Sequence, residues 1–127
     1  MVDDCGTVIN PLLAEGQVEG GVAQGIAQAL YEDMVYTEDG QLLTSTLVDY
    51  LAPSAADLPS LTELGRTFTV TPHNSLGAKG IGESGAIGAP PAVINAVVDA
   101  LSGFGVKHVE MPASPQRVWN LMNGQEG

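Results

Sequence analysis

Apolar positions along this chain fall into stretches of two different periods. In GVAQGIAQALYEDM (residues 21–34), Val22, Ile26, Leu30 and Met34 recur every fourth residue, and Ala23 and Ala27 widen the stripe. That spacing predicts an amphipathic helix packed on a core. A second stripe, Val93, Ile94, Val97, Val98 and Leu101, predicts a helix opened by Pro90-Pro91 and ended at Gly103 or Gly105. A third, QRVWNLM, follows the cap signal Ser114-Pro115 and stops at Gly124. Shorter β-prone runs lie between them. GTVIN (6–10) reads as a strand ended by Asn10-Pro11, and RTFTVTP (66–72) and VKHVEM (106–111) read as two more. Around Glu38-Asp39-Gly40 a hairpin is expected, with Leu42, Thr44, Thr46, Val48 and Tyr50 on one face of its longer arm. APSAADLPSL reads as a loop and NGQEG as a frayed tail. The elements alternate irregularly, so the expected class is α+β, with mixed short strands and two to three amphipathic helices. At 127 residues the chain is read as a single domain or a fragment, residues 1–127.

Composition sharpens this picture in three places. Aromatic residues are only 5% of the chain, so its core must be built from Val, Ile, Leu and Ala. Gly20, Gly21, Gly25 and the alanines give the first helix one very small face, which predicts close backbone approach to a neighbour. The net charge is −11, and no Lys or Arg precedes Arg66. A nucleic-acid binder needs cationic surface to neutralise phosphate, so no nucleic-acid partner is expected. No apolar run approaches the ~20 residues that cross a bilayer, so membrane insertion is not expected either. The absence of a signal-peptide pattern and the lone Cys5 suggest a cytoplasmic protein. Cys5 sits in an acidic stretch, DDCG, that blunts a thiol nucleophile, so it reads as structural.

Candidate chemistry centres on GAKGIGESGAIGAPP (77–91), rich in glycine around one acid, Glu83. Gly80, Gly82 and Gly85 match the dinucleotide pattern G-x-G-x-x-G, but a polar, proline-broken stretch precedes them. Pro90-Pro91 is also expected to stop a helix from running straight out of the loop. Lys79 precedes the glycines, which excludes a P-loop. His73 and His108 lack metal-ligand spacing, so no metal ligands are assigned. What remains is a loop whose amides can donate hydrogen bonds to an anion, with a carboxylate between Ile81 and Ile87, an apolar setting that suits a general base. From these residues alone, a catalytic loop and a tight structural turn with a surface Glu are equally good readings.

Three stretches taken together break that tie. VDDCGTVINPLLAEGQVEGGVAQGIAQALYEDMVY, DGQLLTSTLVDYLAPSAADLP and HNSLGAKGIGESGAIGAPPAVINAVVDAL resemble the C-terminal part of the large subunit of the molybdenum hydroxylases. That family comprises xanthine dehydrogenase, aldehyde oxidase and aerobic carbon monoxide dehydrogenase. The resemblance implies the fold of a molybdopterin-binding domain and a molybdenum-molybdopterin cofactor, in its cytosine dinucleotide form. Glu83 matches the family's catalytic glutamate, whose implied role is general base toward the water-derived oxygen that reaches the substrate. Lys79, Gly80, Ile81 and Gly82 match the loop against the cofactor, and Gln17 matches a glutamine at its edge. The copper-binding cysteine of the carbon monoxide branch belongs to an earlier part of the subunit, and Cys5 does not match it. The implied partners are the N-terminal part of the large subunit, iron–sulfur and FAD-binding subunits, and a small-molecule substrate: an aldehyde, an aromatic heterocycle or carbon monoxide. The chain alone is expected to be inactive. The competing reading is a non-catalytic acidic scaffold that keeps the family's sequence without the cofactor.

Overall fold

Asn10-Pro11 starts a helix here instead of merely ending a strand. The Asn10 side-chain Oδ1 accepts from the Leu13 amide at 3.2 Å and its carbonyl accepts from Ala14 at 3.1 Å. Proline follows at the first helical position, where its missing N–H costs nothing. The resulting helix α1 spans Pro11–Leu30, ten residues more at its N-terminal end than the periodic stripe predicts. It stops before Met34, which is exposed. The computed structural model describes residues 1–58, 60 and 65–125. Pro59 and Leu61 of the expected loop, and the last two residues of the expected frayed tail, lie outside these.

The chain divides into two compact units. One comprises Met1–Gly25 and Pro59–Ala89, the other Ile26–Leu58 and Pro90–Gly127. In the first, strand β1 (Val2–Asp3) pairs in parallel with β2 (Gly65–Arg66), in the register Val2 to Gly65 and Asp3 to Arg66. The expected strand at 6–10 is absent. Gly6 forms only an isolated antiparallel bridge to Ala78, and residues 7–9 bend toward the α1 cap. The expected strand at 66–72 ends after one residue because of a distant side chain. Thr69 donates its amide to the Asp4 side chain at 3.2 Å, so a carboxylate takes the place of the next backbone acceptor.

Helix α2 spans Ser84–Ala100. It therefore runs straight out of the glycine loop, and Pro90 and Pro91 lie inside it instead of opening it. The two prolines leave the carbonyls of Ala86 and Ile87 without their helical donors. Packing compensates near the helix start. A Cβ on Gly21 of α1 would lie 3.1 Å from the Gly85 Cα and the Ala86 nitrogen, so the two backbones touch there. The small face predicted for α1 has this use at Gly21, whereas Gly20 faces open space.

In the second unit, Leu101, Val109 and Ala113 form a buried cluster with Leu30, Val97, Val98 and Val118 packed against it. This is the aliphatic core that the scarcity of aromatic residues required. Ala113 donates its amide to the Ala29 carbonyl at 2.7 Å. A single-turn 3₁₀ helix, Ser102–Phe104, closes on Gly105 in the left-handed conformation. Residues 106–111, expected as a strand, form none, although Val109 is buried. The hairpin reduces to one bridge, Tyr36 to Leu42, around Gly40 at φ 82°. Its longer arm breaks at Thr46, whose carbonyl accepts from Asp49 and Tyr50 and whose hydroxyl accepts from the Val48 amide. Helix α3, Pro115–Met122, follows its sequence signals closely. Ser114 Oγ accepts from Arg117 and Gly124 has φ 69°.

Candidate functional site

The glycine loop is built on a turn that the sequence dictates residue by residue. Asn74 brackets Ala78 with both ends of its amide, Nδ2 to the carbonyl at 2.9 Å and Oδ1 from the amide at 3.2 Å. Gly77 sits at φ 66°, a conformation that favours glycine, and its carbonyl accepts from Thr7 and Thr71. The Lys79 amide then donates to the Cys5 carbonyl at 2.8 Å.

Beyond Lys79 the chain loosens. The amides of Gly80, Ile81, Gly82 and Glu83 donate to no described residue. Gly82 offers its carbonyl to Gln17 Nε2 at 2.7 Å, a contact from the exposed side of α1. Glu83 stands at the N-cap of α2. Its carbonyl accepts from Ile87 at 3.1 Å, while its exposed side chain bonds no described residue. The expected apolar setting is not present in this chain: Ile87 is 72% exposed and only Ile81 is half-buried.

A cleft of ≈500 Å³ lies in the first unit, lined by residues 7–10 and by Cys5, Gln17, Lys79, Ile81 and Gly82, among others. Four of the sequence-predicted site residues, Gln17, Lys79, Ile81 and Gly82, thus share one cleft. Gly80 and Glu83 do not line it. A smaller cavity of ≈160 Å³ lies across Cys5 and Ile81, which line both. Its charged groups are already paired: Arg66 to Glu15 at 2.8 Å, and Asp3 to Ser84.

Gly80 and Gly82 differ from Gly77 and Gly85 of the same stretch. Neither has a positive φ, and no described atom lies within 4 Å of the Cβ that either would carry. Neither backbone conformation nor internal packing requires glycine there. The space beside them is open and free amides flank it, so the residues present leave room for an anionic cofactor.

Sequence reasoning missed Asp3, which ends β1, and Asp4, which follows it. Asp4 Oδ1 lies 2.8 Å from Lys79 Nζ and accepts from the Gly6 amide at 2.9 Å. Thr69 donates its hydroxyl to Asp4 Oδ2, and Lys79 Nζ donates to Thr69 Oγ1 at 2.9 Å. The Lys79 ammonium, foremost, with the Thr69 hydroxyl and the Gly6 amide, holds the Asp4 carboxyl well below the usual carboxylate range. Acid sensitivity follows with a definite sign. A carboxyl with a depressed folded-state pKa contributes stability above its unfolded value, 3.8, and loses it as pH falls below. Asp4→Asn is thus expected to lower the urea midpoint most at neutral pH, by an amount that shrinks steadily below about pH 4. An equal penalty at pH 7 and pH 3 would remove the ion pair from the account. The available signal was the lone lysine beside the glycines, which needs a counter-charge.

Comparison with known proteins decides the family. The model of the molybdopterin cofactor-binding domain matches residues 1–59. The carbon monoxide dehydrogenase large chain of Hydrogenophaga pseudoflava is 45% identical over 95% of this chain and 15% of its own length. The chain belongs to the molybdenum hydroxylase family. The nicotine 6-hydroxylase large subunit of Paenarthrobacter nicotinovorans is also 45% identical, over 97% of the chain and 15% of its own length. In structure, the chain superposes on the reconstituted CO dehydrogenase from Oligotropha carboxidovorans with a TM-score of 0.91, at 39% identity over 97% of this chain and 15% of that one. The α+β fold is thus that of the matching segment of the molybdenum hydroxylase large subunit, and the chain spans about 15% of the length of the relatives it matches. Among the described residues no helix is long and apolar enough to cross a membrane.

Proposed function

We propose that this chain is the part of a molybdenum hydroxylase large subunit that presents residues 79–83 to a molybdopterin, with Glu83 as general base. The observation that carries the reading is the pair Gly80 and Gly82, glycines that the chain's own conformation and packing do not require. The free amides from Gly80 to Glu83 suit the oxygen-rich edge of such a group. Gln17 fixes the loop from the side through Gly82, and Ile81 turns into the cleft wall. Lys79 acts from beneath, since its ammonium is satisfied by Asp4 and Thr69. Molybdopterin, in its cytosine dinucleotide form, would supply the two-electron redox chemistry. Glu83 accepts the proton lost as water-derived oxygen is transferred to an aldehyde, an aromatic heterocycle or carbon monoxide.

The rest of the large subunit is the first partner in this reading. It would cover Ile9, Leu12 and Ile87, apolar side chains that stand exposed around the site. That cover would also supply the dry surroundings that Glu83 lacks here. Iron–sulfur and FAD-binding chains would carry the electrons away, and the assembly would work in the cytoplasm.

The test is to express the chain with the remainder of the subunit and its partner chains, then assay metal and released pterin. Molybdenum and pterin near one per complex support the reading. A stable complex that carries neither would favour the acidic scaffold.

A further inference from the structure

Glycine loses more conformational freedom on ordering than any other residue, so the stretch 80–83 needs anchors if Glu83 is to hold one position. Those anchors converge on the end of β1 and the residue after it. Ser84 Oγ donates to Asp3 Oδ2 at 3.0 Å, just after Glu83, and also reaches the Ile81 carbonyl at 3.2 Å. Lys79 Nζ meets Asp4 Oδ1 at 2.8 Å, just before Gly80. Asp3 ends β1 and Asp4 follows it, and the two neighbouring acids reach the two ends of one loop. Ionised carboxylates are acceptor-only, and hydrogen bonds to them are stronger than neutral ones. Asp3 also sits against the first turn of α2, where negative charge is favoured.

We propose that Asp3 and Asp4 are positioning residues: together they clamp the loop at Ser84 and Lys79, and so hold Glu83 where it can act as a base. The proposal rests on the reading of Glu83 given above, and its test separates the two. Thr69 braces the Asp4 arm by contacting both Asp4 and Lys79. The Gly6–Ala78 bridge and the Lys79–Cys5 backbone bond hold the same end of the loop. Gln17 holds its middle at Gly82.

Trypsin reads the clamp directly, because the bond after Lys79 begins the loop. In the full 127-residue chain, Asp4→Asn should raise cleavage at Lys79–Gly80 about tenfold relative to cleavage at Lys107, the loss expected for one charge-assisted hydrogen bond. Asp3→Ala and Ser84→Ala should each speed amide hydrogen exchange at Ile87, whose amide holds the Glu83 carbonyl at 3.1 Å, and the double variant should add nothing to either alone. Ser84→Ala leaves β1 untouched, so it still tests the clamp if Asp4→Asn fails to fold. In the assembled enzyme, Asp3→Ala should lower kcat with KM unchanged, since substrate binding does not depend on the base. Cleavage and exchange at wild-type rates in these variants would overturn the clamp. Failure of the Glu83 reading would appear elsewhere, as wild-type turnover in Glu83→Gln with loop cleavage unaffected.

Discussion

Glu83→Gln in the assembled enzyme should lower kcat by roughly 10²–10⁴-fold or more, with molybdenum and pterin content unchanged. Glutamine has nearly the same shape and still accepts a hydrogen bond, but it cannot take a proton at neutral pH. The structure makes this substitution unusually clean. The Glu83 side chain is exposed and bonds no described residue, and the α2 cap is made by its backbone carbonyl, which glutamine keeps. Exposed substitutions without such contacts change stability by no more than about 0.5 kcal/mol. Loss of turnover therefore cannot be charged to unfolding. KM should stay near wild type, because a general base acts on the transition state and contributes little to substrate binding. Wild-type kcat in a complex that holds its metal would end the assignment of Glu83 as the base.

Local signals were legible in the sequence wherever one residue decided the outcome. Ser114 and Gly124 delimit α3 because a cap and a left-handed glycine each act alone. Asn10-Pro11 was ambiguous, since the same pair can stop a strand or start a helix. The Asn10 cap bonds to Leu13 and Ala14 resolve it toward the helix. Pro90-Pro91 misled for a tertiary reason. Their penalty falls inside α2, but the contact of Gly85 with α1 fixes the helix start six residues earlier, at Ser84. The strand expected after Arg66 failed because Asp4, 65 residues away in sequence, takes the Thr69 amide. The same distance explains the site. Glu83 and its glycines stand out in composition, and Gln17 was found through the family pattern. No spacing rule links Asp3 to Ser84 or Asp4 to Lys79, so the clamp became visible only in the fold.

Gly85→Ala should be one of the most damaging single-methyl changes in the first unit. Its added Cβ would lie 2.6 Å from the Val18 carbonyl oxygen, 2.7 Å from the Val22 nitrogen and 2.9 Å from the Gly21 carbonyl carbon. All three are backbone atoms of one helix, so no side chain can rotate away and α1 must shift as a body. Overpacking of this kind typically costs up to about 3 kcal/mol, which in a chain this size lowers Tm by roughly 10 °C. Gly88, one turn further along α2, supplies the control. A Cβ there meets nothing within 4 Å, so Gly88→Ala should hold or raise Tm, because alanine is favoured over glycine inside a helix by about 1 kcal/mol. Thermal unfolding of both variants separates helix propensity from helix contact. The consequence reaches the site, because Val18 and Gly21 lie within a turn of Gln17 on α1 and Gly85 lies two residues after Glu83. A shift of α1 would stretch the 2.7 Å bond from Gln17 to Gly82, so Gly85→Ala should also speed exchange at the Ile87 amide, which holds the Glu83 carbonyl. Equal Tm for the two alanine variants would mean that the helices part without cost at this point, and that Gly85 serves the loop in some way other than by close packing.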